Sequence, residues 1–142
     1  MTDNTTRLDH VVLWVRDPVT AADFYDKAVG LEPLRVTEYT AGTVSFPSVR
    51  VNDDTILDLA PLSMAERMGM LPGADASAGY PVNHVCLSLP ERDFEALRTR
   101  LEGLSVPVSP LSHDSYGARG TARRSFYFTD PDGNVFEARH YV

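Results

Sequence analysis

The chain has 142 residues, of which 43% are hydrophobic and 23% charged, which is the balance of one globular domain with a sizeable apolar core. A formal charge of −7 and the absence of any basic run argue against nucleic acid as a partner. The single cysteine, Cys86, cannot form an internal disulfide, residues 1–7 are too polar for a secretion signal, and no apolar run approaches the roughly 20 residues that cross a bilayer. We therefore expect a soluble, cytoplasmic protein that binds neither nucleic acid nor membrane.

The hydrophobic pattern predicts two successive modules, each with the order strand, helix and three strands. The first has a strand at 8–16, a helix at 19–29 capped by Gly30, and strands at 33–39, 42–51 and 55–60. Residues 61–81 begin with a helical stretch, 62–68, and then have the small-residue composition of a linker. The second has a strand at 82–89, a helix at 91–102 capped by Gly103, and strands at 105–109, at 125–129 with a possible start near Thr121, and at 134–141. We therefore predict one α+β domain over 1–142, with modules 7–60 and 82–142.

An internal repeat supports this division. Residues 8–11, Leu-Asp-His-Val, correspond to residues 82–85, Val-Asn-His-Val, and residues 56–59, Ile-Leu-Asp-Leu, correspond to residues 135–138, Val-Phe-Glu-Ala. Each module thus has a histidine on its first strand, His10 or His84, and a carboxylate on its last, Asp58 or Glu137.

Strand parity indicates which way these side chains point. His10 shares a face with Val12 and Trp14, and the opposite face of the same strand is wholly aliphatic. The strand that carries His84 has the same alternation. The aliphatic faces suit packing against helices, so we expect the histidine faces to line a cavity.

Two interpretations of the histidines and carboxylates remain open. Two imidazoles and one or two carboxylates form an N/O site that suits Fe, Mn, Co, Ni or Zn, with positions left open for substrate. Alternatively, the histidines are hydrogen-bonded core residues and the carboxylates pair with arginines, namely Arg35, Arg50 or Arg139. The matched positions of the four residues in the repeat favour one divalent metal ion.

Three stretches of the chain resemble one known family. They are residues 10–17, His-Val-Val-Leu-Trp-Val-Arg-Asp, residues 22–31, Ala-Asp-Phe-Tyr-Asp-Lys-Ala-Val-Gly-Leu, and residues 127–137, Tyr-Phe-Thr-Asp-Pro-Asp-Gly-Asn-Val-Phe-Glu. Together they resemble the vicinal-oxygen-chelate superfamily of glyoxalases, bleomycin-resistance proteins and extradiol dioxygenases. The resemblance implies two βαβββ modules in a cupped, incomplete mixed β-barrel, commonly completed by a second subunit, so we expect a homodimer.

The resemblance also implies roles for the repeated residues. His10, His84 and Glu137 correspond to metal ligands of the family. Asp58 falls where glyoxalase I enzymes carry a glutamate ligand, but its side chain is one methylene shorter. It is therefore either a direct ligand, a ligand through water, or a catalytic base beside an open position.

Other residues are candidates for substrate binding. The loop at 111–124 has two glycines together with His113, Tyr116 and three arginines, among them Arg124, and in this fold such a loop can close over the cavity. Trp14 lies on the histidine face, and Tyr127 precedes Glu137 by ten residues, as a tyrosine does in extradiol dioxygenases. We predict His140, three residues after Glu137, to be structural or exposed.

The function expected from these features is a metal-dependent lyase or isomerase. Its small substrate would bind the ion through two oxygens and pass through an enediolate-like intermediate, with Glu137 or Asp58 moving a proton. An extradiol-type dioxygenase is the alternative among enzymes. A metal-free protein that binds an aromatic cation, like bleomycin-resistance proteins, is the alternative from another class.

Overall fold

The computed structural model describes residues 8–68 and 84–142, which form two compact units. The first unit contains residues up to Asp26 and from Leu31 onward, and the second contains Lys27–Gly30 together with the C-terminal part of the chain. Over the described residues, no helix has both the length and the apolar character needed to cross a membrane.

The first unit is a four-stranded mixed sheet with helices. Its strands are β1 (His10–Val15), β2 (Glu32–Leu34), β3 (Ser48–Arg50) and β4 (Ile56–Pro61), in the order β1-β4-β3-β2. β1 and β4 run parallel, whereas β3 pairs antiparallel with both of its neighbours. The aliphatic face of β1 is buried at Leu13 and Val15, as the alternation of the sequence predicts.

Over residues 8–68, the structure has the helices α1 (Pro18–Phe24), α2 (Val36–Thr40) and α3 (Ala65–Met68). Asp17 caps α1, accepting hydrogen bonds from the backbone N–H groups of Val19 and Thr20 at 3.0 and 3.4 Å. A π-helical turn, Tyr25–Val29, continues α1 and accounts for the rest of the predicted helix up to Gly30, whose φ is 84°. A 3₁₀ turn, Leu62–Met64, precedes α3, so the predicted helical stretch at 62–68 is confirmed.

The second unit has a three-stranded sheet and a small hairpin. β5 (Val85–Ser88), β8 (Arg124–Thr129) and β9 (Val135–His140) form the sheet in the order β5-β9-β8, and β6 (Tyr116–Gly117) pairs with β7 (Gly120–Thr121). Helix α4 (Glu91–Gly103) buries its apolar face, and its Phe94 ring packs edge-on against Phe126 with centroids 5.1 Å apart.

Three predicted strands differ from the structure. The predicted strand at 33–39 is limited to β2, because Arg35 adopts a left-handed conformation with φ 62° and α2 follows directly. The predicted strand at 42–51 is limited to β3, which begins immediately after Pro47. Residues 105–109 form no strand: Ser105 has φ 59° and Pro107 has no backbone N–H to donate. The α+β fold class is nevertheless confirmed, and over the described residues no sheet closes into a barrel.

Candidate functional site

His10 and Asp58 form a pair on neighbouring strands of the first unit. His10 Nδ1 donates a hydrogen bond to Asp9 Oδ1 at 2.7 Å, because a carboxylate can only accept. The neutral ring therefore has its lone pair on Nε2, which lies 4.0 Å from Asp58 Oδ2. The hydrogen bond to Asp9 raises the pKa of His10, and the charge of Asp58 adds to this effect.

The other oxygen of Asp58 is held by neighbouring side chains. Asp58 is 7% exposed, and its Oδ1 accepts a hydrogen bond from Ser48 Oγ at 2.6 Å. Arg35 Nη2 donates in turn to Ser48 Oγ and lies 3.8 Å from Asp58 Oδ1. This network orients the carboxylate with Oδ2 toward His10 and places a positive charge beside a buried negative one.

His84 and Glu137 form the corresponding pair in the second unit. His84 Nε2 lies 3.5 Å from Glu137 Oε1, and Glu137 is only 3% exposed. The ring of Tyr127 packs edge-on against His84 with centroids 5.6 Å apart. Desolvation and a hydrogen bond with Glu137 raise the pKa of Tyr127. Tyr127 thus contacts both members of the pair.

Arg139 holds the second oxygen of Glu137. Its Nη2 donates to Glu137 Oε2 at 2.7 Å, and the same guanidinium bonds to the Ser115 carbonyl and hydroxyl at 3.3 and 3.2 Å and to Tyr141 Oη at 3.4 Å. Burial alone would lower the pKa of Arg139, but the bonds to Glu137 and Tyr141 outweigh burial and raise it. Arg139 therefore remains charged and fixes the orientation of the carboxylate.

Strand register repeats the same arrangement in both units. In the first unit Asp58 pairs with Val12, two positions after His10. In the second unit Glu137 pairs with Cys86, two positions after His84. On its antiparallel side, each carboxylate faces a hydroxyl-bearing residue, Ser48 or Tyr127.

The turn between β8 and β9 helps to set the register in which Tyr127 pairs with Glu137. Asp130 Oδ1 accepts hydrogen bonds from the backbone N–H groups of Asp132 and Asn134 at 2.9 and 2.8 Å, and Gly133 takes the positive φ of 85° that the turn needs. This local network fixes where the two strands begin to pair, and it thereby places Tyr127 opposite Glu137.

A cavity of about 450 Å³ opens within the second unit. Its wall includes both members of the His84–Glu137 pair, together with Cys86, Tyr127 and Tyr141. Desolvation and the nearby charge of Glu137 raise the pKa of the Cys86 thiol. The thiol is therefore protonated at neutral pH and is not an activated nucleophile.

The remaining predicted substrate residues are more scattered. Trp14 is half-buried on the same face of β1 as His10. His113 is exposed, with Nδ1 3.2 Å from the Arg123 carbonyl. Arg124 lies on the opposite face of β8 from Tyr127, where it bonds to His140 and to two glutamates of α4, so the structure does not bring it to the pair. The Tyr116 side chain lies outside the described residues.

The spacing of the two pairs can be compared with what a divalent ion requires. Two donor atoms that each lie about 2.1 Å from one ion are about 3.4 Å apart at tetrahedral angles and about 3.0 Å apart at octahedral angles. The 3.5 Å between His84 and Glu137 fits such a chelate, whereas the 4.0 Å between His10 and Asp58 is longer. Taking each unit by itself over its described residues, no group of three or more His, Cys, Asp or Glu side chains can hold an ion. Each unit supplies a donor pair of suitable chemistry.

The sequence did not single out Ser48, Ser115 and Tyr141. Serine and tyrosine are common on strands and in loops, and only the strand pairing reveals that Ser48 faces Asp58. The arginine alternative named the correct partners Arg35 and Arg139, whereas Arg50 instead donates to the Asn52 carbonyl at 2.9 Å.

Residues 7–138 match the sequence model of the Glyoxalase/Bleomycin resistance protein/Dioxygenase superfamily. The chain belongs to this superfamily. Solved structures with the same fold include a virulence protein from Salmonella typhimurium, with a TM-score of 0.72 and 22% identity over 98% of this chain and 99% of that one. A lactoylglutathione lyase from Agrobacterium tumefaciens has a TM-score of 0.65 and 20% identity, over 96% of this chain and 94% of that one. A glyoxalase/dioxygenase from Nostoc punctiforme has a TM-score of 0.66 and 21% identity, over 98% of this chain and 93% of that one. At these identities the likeness establishes the fold alone.

Proposed function

We propose that this superfamily member is a divalent-metal-dependent enzyme, a lyase or isomerase whose small substrate chelates the ion through two oxygens. The observation that carries the proposal is the repeated pair: in each unit a histidine Nε2 faces one oxygen of a buried carboxylate whose other oxygen is held by hydrogen bonds. Such outer partners are typical of metal ligands, because they orient the ligating atoms.

His10, His84 and Glu137 would hold the ion, with Asp58 as a fourth ligand or a ligand through water. When bound, the ion would supply Lewis-acid polarisation of the substrate oxygens. Glu137 and Asp58 are the candidate proton carriers, and in each case the available oxygen is the one that faces histidine, Oε1 or Oδ2. Tyr127, which lies opposite Glu137 in the strand pairing, would help to orient it.

A ring-cleaving dioxygenase is the second candidate. It is favoured by Tyr127, whose ring packs against His84 and which lies opposite Glu137 in the strand pairing. A tyrosine at this place resembles the one expected of extradiol enzymes, and the ligand set of two histidines and one carboxylate suits iron as well as zinc, cobalt or nickel.

Elemental analysis of protein purified without added metal tests the proposal, followed by titration of the stripped protein with each divalent ion. We expect about one ion per chain, with iron favouring the dioxygenase and nickel, cobalt or zinc the lyase. Lack of binding by any of these ions would overturn the proposal and favour a metal-free ligand-binding protein.

A further inference from the structure

The wall of the cavity in the second unit contains one arginine that the proposed chemistry does not use. Arg119 lies at the tip of the β6–β7 hairpin, where its backbone N–H donates to Tyr141 Oη at 3.3 Å. Its guanidinium carbon lies 5.9 Å from the centroid of the Tyr141 ring. Tyr141 thus supports Arg119 at the edge of the cavity.

The charges around the cavity do not balance. Glu137 and Arg139 neutralise each other at 2.7 Å, and both are buried. Arg98 and Arg124 also pair with glutamates, whereas among the described residues no carboxylate lies within ion-pair distance of Arg119. Over the described residues, the cavity wall therefore has one positive charge without an ion-pair partner, in a chain whose overall charge is −7.

We propose that this cavity takes a small organic anion, whose carboxylate or equivalent oxyanion binds the guanidinium of Arg119. The body of the ligand would pack against the aromatic wall formed by Tyr127 and Tyr141. Arg139 is not available for this role, because its terminal nitrogens are engaged by Glu137, Ser115 and Tyr141. A planar guanidinium suits a carboxylate, to which it can donate two parallel hydrogen bonds.

This inference deepens the proposed function, on which it rests for the claim that the anion is the substrate. It also separates that function from the binding of an aromatic cation. Since the net negative charge of the chain repels anions at long range, tight binding of an anion requires a local positive group such as Arg119.

Three probes of nearly the same shape test the proposal: benzoate is an anion, benzamide is neutral and benzamidine is a cation. Their binding to metal-stripped protein is measured by two-dimensional NMR titration in a low-chloride buffer without carboxylate or phosphate. We expect benzoate to bind about tenfold more tightly than benzamide, and benzamidine more weakly than either. Equal affinities for benzoate and benzamide, or a preference for benzamidine, would overturn the proposal.

Variants assign the effect to Arg119. Arg119→Gln removes the charge but keeps much of the side chain, and should reduce benzoate affinity to that of benzamide, while Arg119→Lys should retain part of the preference. Arg123→Gln is the matched control, because Arg123 is exposed in the same loop but does not line the cavity. If Arg123→Gln weakens benzoate as much as Arg119→Gln does, the effect is one of overall charge and the proposal is wrong.

The two proposals can fail separately. Metal titration of Arg119→Gln should match that of the unaltered protein, since Arg119 is not among the donor residues. Benzoate selectivity without metal binding would leave the anion site and remove the metal-dependent function. Metal binding without benzoate selectivity would leave the metal-dependent function and rule out the anion site.

Discussion

Glu137 and Arg139 form an ion pair of 2.7 Å in which both residues are buried, at 3% and 5% exposure. They lie two positions apart on β9 and share one face of the sheet. A buried carboxylate without a cation is costly, so the two residues depend on each other. Arg139 thus fixes one oxygen of Glu137, Oε2, and leaves the other, Oε1, facing His84.

Arg139→Met should lower the free energy of unfolding by about 3–5 kcal/mol, because it leaves Glu137 buried without a cation. The double variant Glu137→Gln/Arg139→Met should recover most of that loss, since it removes both charges. Urea denaturation of the two single variants and the double variant measures the coupling. Losses that simply add would contradict the interdependence of the pair.

Metal affinity should distinguish the two carboxylates. Glu137→Gln should weaken binding by about 100-fold or more, because it removes a charge from the pair with the shorter spacing, whereas Asp58→Asn should weaken it by about tenfold. Calorimetric titration of both variants, with His10→Ala and His84→Ala for reference, ranks the donors. Full affinity in Glu137→Gln with loss only in Asp58→Asn would reverse the assigned roles.

The histidine and carboxylate pairs could be predicted because each was marked by a local motif that occurs twice. Ser48, which bonds to Asp58, and Ser115, which bonds to Arg139, lacked such a signal. Val36, Thr37 and Tyr39 have high strand propensity, yet they form α2 because Arg35 takes a left-handed φ of 62°. That conformation is rare for arginine, so propensity cannot reveal it.

The hairpin that covers Arg139 requires glycine at position 117. A Cβ built on Gly117 would overlap the Arg139 guanidinium and lie 2.5 Å from Tyr141 Oη. Since Arg139 is fixed by Glu137 and Ser115, the hairpin must move instead. Gly117→Ala should therefore cost about 1–3 kcal/mol of stability and perturb NMR signals of the cavity.

Gly103→Ala is the matched control for this substitution. Gly103 is the last residue of α4, and a Cβ there meets nothing within 4 Å. Alanine should leave stability unchanged or raise it by about 0.4–1 kcal/mol. Equal thermal stability of the two alanine variants would show that the space between Gly117 and Arg139 can accommodate a Cβ atom.

The protein should form a homodimer. β1 and β5 each lie at the edge of their sheet, and an open edge presents unpaired backbone groups that a second chain can cover. Light scattering should give about 31 kDa, twice the 15.7 kDa of one chain. A mass of one chain at micromolar concentration would contradict this prediction and leave the assignments within each unit unchanged.

His140 should make the protein less stable in mild acid. It is 1% exposed, and its Nε2 accepts a hydrogen bond from Arg124 Nε at 2.9 Å. Because arginine can only donate, the proton of the neutral ring is on Nδ1, which has no hydrogen-bond partner among the described residues. Burial, and then the charge of Arg124, lower the pKa of His140. Of the two alternatives predicted for His140, structural or exposed, this position supports the structural one.

The sign of the pH dependence follows from this lowered pKa. Below about pH 6.5 the unfolded chain binds a proton at His140 that the folded chain does not, so folding stability falls as the pH decreases, by up to about 1.4 kcal/mol per pH unit from this group. His140→Gln keeps a neutral acceptor for Arg124 and should flatten the dependence between pH 7.5 and 5.5. The exposed His113→Gln serves as control and should keep the original slope. Urea denaturation at several pH values measures the difference, and parallel curves for His140→Gln and the unaltered protein would show that acid destabilisation comes from other groups.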